Sequence, residues 1–167
     1  GVLTGNIVPV LTGVPATPVG GTELLDTVVD LMPNPNEVPT PLGTMPESNE
    51  EVKLGPEGPL AALVFKTSAD PFVGKLSYFR VYGGNLKKDS QVWVANREDS
   101  ERVAQVFEVT GKSQEGIEQV PYGDLGAVAK LSSPLTGDTL CNRDAKVILQ
   151  GIDFPKPVYY MAASPNS

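Results

Sequence analysis

Four cationic side chains lie close together in a stretch of sequence that contains no acidic residue. They fall between residues 71 and 88, and they are Lys75, Arg80, Lys87 and Lys88. The whole chain has 20 acidic and 13 basic side chains, a formal net charge of −7, so this stretch is its one local basic patch. Such a patch could bind a phosphate backbone without reading its sequence. Lysines at strand edges also keep strands soluble, and the sequence leaves both interpretations open.

Two residue types that perform much of enzyme chemistry are absent or scarce. The 167 residues contain no histidine and one cysteine, Cys141. Within them, these counts exclude Ser-His-Asp triads, Cys-His pairs, His-ligated metals, internal disulfides and Cys-based zinc sites. Cys141 lies in a short β-like run without a histidine base, which predicts a buried structural thiol. A lone thiol also fits a reducing compartment.

Carboxylates form two clusters, and neither lies where a pocket is expected. The clusters are Glu47, Glu50 and Glu51, and Glu98, Asp99 and Glu101. The first cluster lies in a proline-rich stretch and the second in a predicted turn. Because acid–base catalysis needs carboxylates held in an enclosing pocket, we expect solvated surface charge here.

Trp93 lies between Val92 and Val94 and should point to the opposite side of a regular strand. It could be a stacking platform for a nucleobase. Partial burial against a linker or a neighbouring domain is the favoured interpretation.

Motifs for nucleotide binding and membrane insertion are missing from these residues. The sequence has neither Gly-x-x-x-x-Gly-Lys-Ser/Thr nor Asn-Lys-x-Asp, so the chain by itself should not bind a nucleoside triphosphate in the P-loop manner. No apolar run approaches the ~20 residues of a membrane span, and no signal sequence is visible. Because the chain starts at Gly1, we expect it to be a piece of a longer protein.

The first 33 residues read as a strand followed by a helix. Residues 5–13 place apolar side chains between two glycines, which suits a buried strand. Residues 22–32 place leucines and valines on one helical face, with Thr22 as the expected N-cap and Pro33 as the stop. A unit this short cannot bury its apolar face alone. We therefore expect these residues to be the end of an α/β domain.

Residues 33–59 read as a linker, because seven prolines recur among Asn, Ser, Gly and Glu. Such a stretch is extended or poorly ordered rather than packed.

From Leu60 the sequence is typical of a mainly β domain. Short runs rich in Val, Tyr, Phe and Trp are separated by turn signals, and they lie at about 60–67, 74–82, 91–95, 102–109, 124–131 and 137–141. This spacing, with no helix between runs, predicts a small closed β-barrel. The alternation breaks at Tyr78-Phe79, where a bulge would keep both Leu76 and Val81 inside. A further β-like run is expected at 158–163.

Motifs in order along nearly the whole chain resemble the elongation factor G family of ribosomal translocation GTPases. The second domain of that family is resembled by Pro59 to Thr67, Asp70 to Leu86, Glu101 to Val103, Tyr122 to Val128 and Thr136 to Cys141. The end of its GTPase domain is resembled by Pro9 to Gly13 and Leu24 to Asp30, and the start of its third domain by Phe154 to Val158.

The resemblance implies a division of the chain into four parts. Residues 1–33 would be the C-terminal remnant of a GTPase domain and residues 34–58 a linker. Residues 59–150 would be the barrel, domain II, and residues 151–167 a linker and the start of domain III.

The resemblance also implies a function for the parent protein. It would be a cytoplasmic translation elongation factor, a GTPase that uses GTP and Mg²⁺ and has no membrane partner. The barrel would rest on small-subunit RNA of the ribosome and against its own GTPase domain, and this fragment would hold no catalytic residue. The implied RNA contacts are Lys75, Arg80, Lys87, Lys88, Arg97 and Arg102.

Two departures from the family pattern leave an alternative open. The Ser-Ala that follows the glycine and helps to read guanine is replaced after Gly13 by Val14-Pro15, and proline has no N–H. Residues 96–100 are less basic than in the family, and Ala104-Gln105 replaces Gly-Arg. The chain could therefore come from a ribosome-binding paralogue that does not hydrolyse GTP, or from a ribosomal-protection-type protein.

Overall fold

The structure is a computed structural model that describes residues 1–39, 41–70 and 74–165. The chain divides into two compact units, Gly1–Thr40 and Pro41–Ser167. The predicted Asp70-Pro71 turn falls partly outside the described residues.

The first unit contains one helix, α1 (Gly21–Leu31), among its described residues. This confirms the predicted helix, which ends at Met32 in an extended conformation just before Pro33. The predicted N-cap is wrong, because Thr22 lies inside the first turn and Gly20 holds the cap position with a φ of 84°. Glycine adopts this left-handed conformation without steric cost.

The strand predicted at residues 5–13 does not form. Ile7, Val8 and Val10 are largely exposed, at 60%, 78% and 87% of their surface. A strand needs a hydrogen-bonded neighbour, and the described part of the first unit offers no second strand. Apolar composition alone was therefore a misleading signal.

The second unit is built from short antiparallel strands. They are β1 (Leu42–Thr44), β2 (Glu51–Lys53), β3 (Ala61–Asp70), β4 (Gly74–Gly83), β5 (Leu86–Lys87), β6 (Ser90–Val94), β7 (Asp99–Val103), β8 (Val106–Thr110), β9 (Ser113–Ile117), β10 (Gln119–Val120), β11 (Leu125–Ala129), β12 (Thr139–Cys141) and β13 (Ile148–Leu149).

Eight of these strands form one sheet in the order β7-β6-β12-β3-β4-β11-β8-β9, and β5 pairs with β10. One apolar cluster collects side chains from nearly every strand of the sheet, including Val103 of β7, Phe79 of β4 and Val106 of β8. A flat sheet could not bring such distant strands to one core, so the sheet curls into a half-barrel. The mainly β, barrel-type fold predicted from the sequence is confirmed.

The pairing of β3 with β4 contains the predicted irregularity. Val64 pairs with Phe79 and Lys66 pairs with Tyr78, so Phe65 is an extra residue opposite the Tyr78-Phe79 step. Leu76 and Val81 are both buried, as predicted. The bulge at this step lies in β3 rather than in β4.

The stretch predicted to be an unpacked linker contains two strands. β1 and β2 form a three-stranded sheet with β13 in the order β13-β1-β2, and Leu54 just after β2 is 1% exposed. This sheet contributes to a second apolar cluster with Cys141, Val147 and Leu149. Proline-rich composition concealed these elements, and one partner of β1, the strand β13, lies about a hundred residues further along the chain.

Other boundaries also depend on contacts that are distant in sequence. The run predicted at 102–109 is two strands, β7 and β8, interrupted at residues 104–105. The polar strand β9 was not predicted, and it exists by pairing with β8. The run predicted at 158–163 forms no strand, and Val158 is 98% exposed. No helix in the described residues has the length and hydropathy to cross a bilayer.

The position of Leu54 in the second apolar cluster allows a test of whether the proline-rich segment 33–59 is packed. We expect Leu54→Ala to lower the free energy of unfolding by about 2–5 kcal/mol, because it leaves a cavity in a packed cluster. The matched variant Leu42→Ala removes a leucine that is 47% exposed. It should change the free energy of unfolding by about 0.5 kcal/mol or less. Urea unfolding measures both, and equal effects would contradict a packed role for this segment.

Candidate nucleic-acid interface

The six cations expected to contact RNA all lie in the second unit, but they do not form one patch. Lys75 is at the start of β4 and Arg80 in its middle, while Lys87 and Lys88 follow its far end. Arg97 lies in the turn after β6, and Arg102 lies in β7. Cations that are close together in the sequence therefore lie on several elements of the fold and contact different partners.

Lys75 and Arg97 are engaged within the barrel. The Lys75 ammonium donates to the carbonyl oxygens of Ser132 at 3.0 Å and Pro134 at 2.6 Å. Arg97 donates from Nε to the nearly buried carboxylate of Asp138 at 2.8 Å. Both cations hold the 132–138 segment, which is a structural role.

An acidic residue of β7, Glu101, contacts the same segment. Glu101 accepts hydrogen bonds from the Ser132 N–H at 2.8 Å, the Ser132 hydroxyl at 3.0 Å and the Ser133 N–H at 2.5 Å. This carboxylate therefore fixes a loop in addition to making the turn less basic.

The cations at the other end of β4 are more accessible. Lys88 forms an exposed ion pair with Glu118 at 2.5 Å, and this hydrogen bond raises the pKa of Lys88 above its usual value. Arg102 lies 3.8 Å from Asp89, a long and exposed contact. Lys87 is exposed and forms no ion pair with any residue that the structure describes. Exposed pairs contribute little stability and can exchange partners.

Arg80 lies on the outer side of the sheet, and its guanidinium carbon is 5.5 Å from the ring centroid of Tyr82. Its Nε atom is buried and has no hydrogen-bond partner among the described residues. The neighbouring outward tyrosines were not singled out by sequence reasoning. The signal that could have found them is the alternation of residues 78, 80 and 82 with the buried Phe79 and Val81.

The residues at the expected guanine contact are Gly13, Val14 and Pro15, in the first unit. The Val14 N–H donates to the Val19 carbonyl at 3.0 Å, and the Val14 carbonyl accepts from the Thr17 N–H at 3.0 Å. Pro15 has no N–H to donate. Neither of the residues that replace Ser-Ala therefore offers a free backbone donor.

Trp93 points away from Val92 and Val94, as predicted, and is half-buried. It packs against the second apolar cluster, which includes Leu54. Arg143 and Lys146 lie over its ring at 5.4 Å and 5.7 Å from the centroid. The packing of the ring against this buried cluster favours the packing interpretation over a base platform.

Five of the six clustered carboxylates are exposed, as expected, but Glu101 is half-buried and lies with Asp99 in β7 rather than in the predicted turn. Glu47 forms an exposed ion pair with Lys146 at 3.0 Å, and Glu98 is exposed in a turn with a φ of 52°. In the described ranges, no three Asp, Glu, Cys or His side chains are grouped as a metal would require.

A family model described as Elongation factor G domain 2 matches residues 59–143, slightly more than half of the chain. Among solved structures, a crystal structure of a protein from Thermus thermophilus matches with a TM-score of 0.61 and 23% sequence identity. The match covers 83% of this chain and 19% of that one, so this chain spans about a fifth of that protein's length. At this identity the likeness shows the fold.

Cys141 is fully buried, as predicted, and burial raises the pKa of its thiol above the usual value. The Val147 N–H and the Lys146 ammonium act in the opposite direction and are outweighed. Because the folded pKa lies above the unfolded one, the thiol's contribution to stability is complete below the unfolded pKa. It is lost as the pH rises through the folded pKa.

We therefore expect the stability difference between the wild type and Cys141→Ala to decrease as the pH rises above about 8.5, the ordinary pKa of a thiol. Urea unfolding at each pH measures this difference. As a second readout, a thiol reagent should react far more slowly with native than with unfolded protein. A constant difference, or equal reaction rates, would contradict a buried, neutral thiol.

Proposed function

Because the chain belongs to the elongation factor G domain 2 family, we propose that it is part of a ribosome-binding translational GTPase resembling elongation factor G. In this proposal the barrel contacts small-subunit RNA and packs against the parent's own GTPase domain. The supporting observation is that the family match, residues 59–143, spans β3 through β12, which is the whole eight-stranded half-barrel.

The proposal includes the domain plan 1–33, 34–58, 59–150 and 151–167, with one refinement. The connecting segment 34–58 and the end of the barrel segment are joined, because Gly43 pairs with Leu149 and Thr44 with Ile148. The chain thus enters and leaves the barrel at one three-stranded sheet. Such an arrangement suits a connector that keeps the attachment points of two neighbouring domains at a fixed spacing.

The accessible cations are the ones best suited to RNA. Lys87, Lys88 and Arg102 can exchange solvent or weak partners for phosphates, and the half-buried Arg80 forms no ion pair with a described residue. Lys75 and Arg97 instead hold the 132–138 segment. Phosphate contacts give affinity that is independent of sequence and depends on salt.

GTP and Mg²⁺ belong to the proposed parent protein. In this chain, Val14 and Pro15 do not fit the guanine contact, because the one N–H they possess is donated to Val19. Contacts to a nucleotide would have to come from other parts of the parent.

That misfit favours a second candidate, a ribosome-binding paralogue without GTP hydrolysis or a ribosomal-protection-type protein. In both candidates the barrel binds the ribosome in the same way. They differ in whether the parent protein hydrolyses GTP.

Ribosome-stimulated GTP hydrolysis by the full-length parent separates the two. We expect stimulated turnover if the nucleotide is held by contacts other than those of Val14 and Pro15. Replacing Val14-Pro15 by Ser-Ala should then tighten GTP binding, because it restores a backbone donor. Ribosome binding without turnover, unchanged by this replacement, would favour the second candidate.

Binding of this chain to isolated small ribosomal subunits tests the RNA contact itself. We expect Lys87→Gln to weaken binding and to reduce the slope of log affinity against log salt by about 0.7–0.9, the effect of one lost phosphate contact. Lys53→Gln, an exposed lysine of β2, is the control and should leave the slope unchanged. No binding at all, or equal slopes, would contradict the proposed contact.

A further inference from the structure

The outer face of β4 presents an alternation of aromatic and cationic side chains. Tyr78, Arg80 and Tyr82 are half-buried and point outward, while the residues between them, Phe79 and Val81, are in the core. Alternate residues of a strand share one face. Together with Phe65 and Lys66 of β3, these three side chains are called the outer stripe.

The bulge in β3 assembles one end of the outer stripe. Because Lys66 rather than Phe65 pairs with Tyr78, both side chains lie beside that tyrosine. The rings of Phe65 and Tyr78 are 6.4 Å apart and inclined at 41°, and the Lys66 ammonium is 5.5 Å from the Tyr78 ring centroid. At the other end, Arg80 lies over Tyr82.

The stripe borders a groove of about 780 Å³. Phe65, Tyr78 and Arg80 line one side of it, and Glu108, Gln119 and Asp124 contribute polar groups to the lining. The groove therefore combines aromatic surface, one cation, two carboxylates and further hydrogen-bonding groups within one concave site.

The two cations of the stripe are directed at aromatic faces rather than at carboxylates. Lys66 and Arg80 form no ion pair within the described ranges, whereas Lys88, Arg97, Arg102 and Lys146 each contact a carboxylate. In a chain of net charge −7, two cations free of carboxylates leave positive charge for an anionic ligand.

We propose that the outer stripe binds single-stranded RNA. One base stacks on Tyr78 beside Phe65, and the next stacks on the guanidinium plane of Arg80, which Tyr82 supports from behind. Lys66, on an exposed and flexible side chain, contacts the phosphate between them. Aromatic rings and Arg planes are the usual platforms for unpaired bases, and paired bases in a duplex cannot reach them.

The polar lining of the groove adds a base preference. The carboxylates of Glu108 and Asp124 accept hydrogen bonds, and the exocyclic amines of adenine and cytosine donate them. Uracil has no such amine. The site should therefore prefer A or C to U. This inference rests on the proposed function, since it assumes an RNA partner, and adds that the RNA is unpaired where the stripe contacts it.

Fluorescence anisotropy with labelled RNA hexamers tests the proposal on the full chain. We expect oligo(A) and oligo(C) hexamers to bind about tenfold more tightly than the oligo(U) hexamer, the size of one lost base-edge contact. A blunt RNA duplex should bind more weakly than the oligo(A) hexamer. The salt slope for oligo(A) should be about −0.7, as one phosphate contact to a single strand predicts.

Matched variants separate stacking from general charge and from unfolding. Tyr78→Leu keeps an apolar side chain and should weaken oligo(A) binding about tenfold, the cost of one lost stack. Its control is Tyr159→Leu, in the exposed tail. Lys66→Gln, at an exposed position that carries no folding risk, should reduce the salt slope by about 0.7, and Lys53→Gln should not.

The outcomes distinguish the inference from the proposed function. If the chain binds small subunits but Tyr78→Leu and Lys66→Gln change neither subunit nor hexamer binding, the inference is wrong and the proposed function stands. The stripe would then be a protein-facing or ordinary surface. If hexamers bind with the expected variant effects but small subunits do not, the site is supported and the ribosomal partner is wrong.

Discussion

The antiparallel pairing of β3 with β4 is the contact on which the rest of the barrel depends. These two ten-residue strands lie at the centre of the eight-stranded sheet, with β12 added to one side and β11 to the other. Their register decides which residues enter the core, because a slip of one residue exchanges the two faces of a strand. Phe79 and Val81 face inward by the alternation of β4, and the register shift at Phe65 places Lys66 on the outer face opposite Tyr78.

The same pairing divides the outer face of the sheet into a covered part and an open part. The sheet β13-β1-β2 lies with Leu54 and Val147 against Cys141, Trp93 and Tyr82, so these side chains are wholly or partly removed from water. The outer stripe continues from Tyr82 along β4 to Tyr78, beside an open groove. The packed area and the proposed binding area are thus adjacent parts of one surface.

The fold gives different roles to charged residues of the same sign, and a count of residues does not reveal these roles. Lys75 and Arg97 support the 132–138 segment, and Glu101 supports the same segment from β7. An acidic residue in the predicted RNA-contacting turn is therefore part of the architecture. The cations that remain for a ligand are those whose partners are weak, exposed or aromatic.

The sequence by itself determined the helix α1, the mainly β barrel, the buried Cys141 and the outward direction of Trp93. These depend on periodicity and composition within short windows, and the ordered motifs indicated the family. Only the tertiary structure decided that residues 5–13 form no strand, that the proline-rich segment contains β1 and β2, and that the polar strand β9 exists. It also decided which cations are free and that Tyr78 and Arg80 share a groove with Glu108. The physical reason is that a strand and a site are both made by partners far apart in the chain, and β propensity depends on those partners more than on the segment itself.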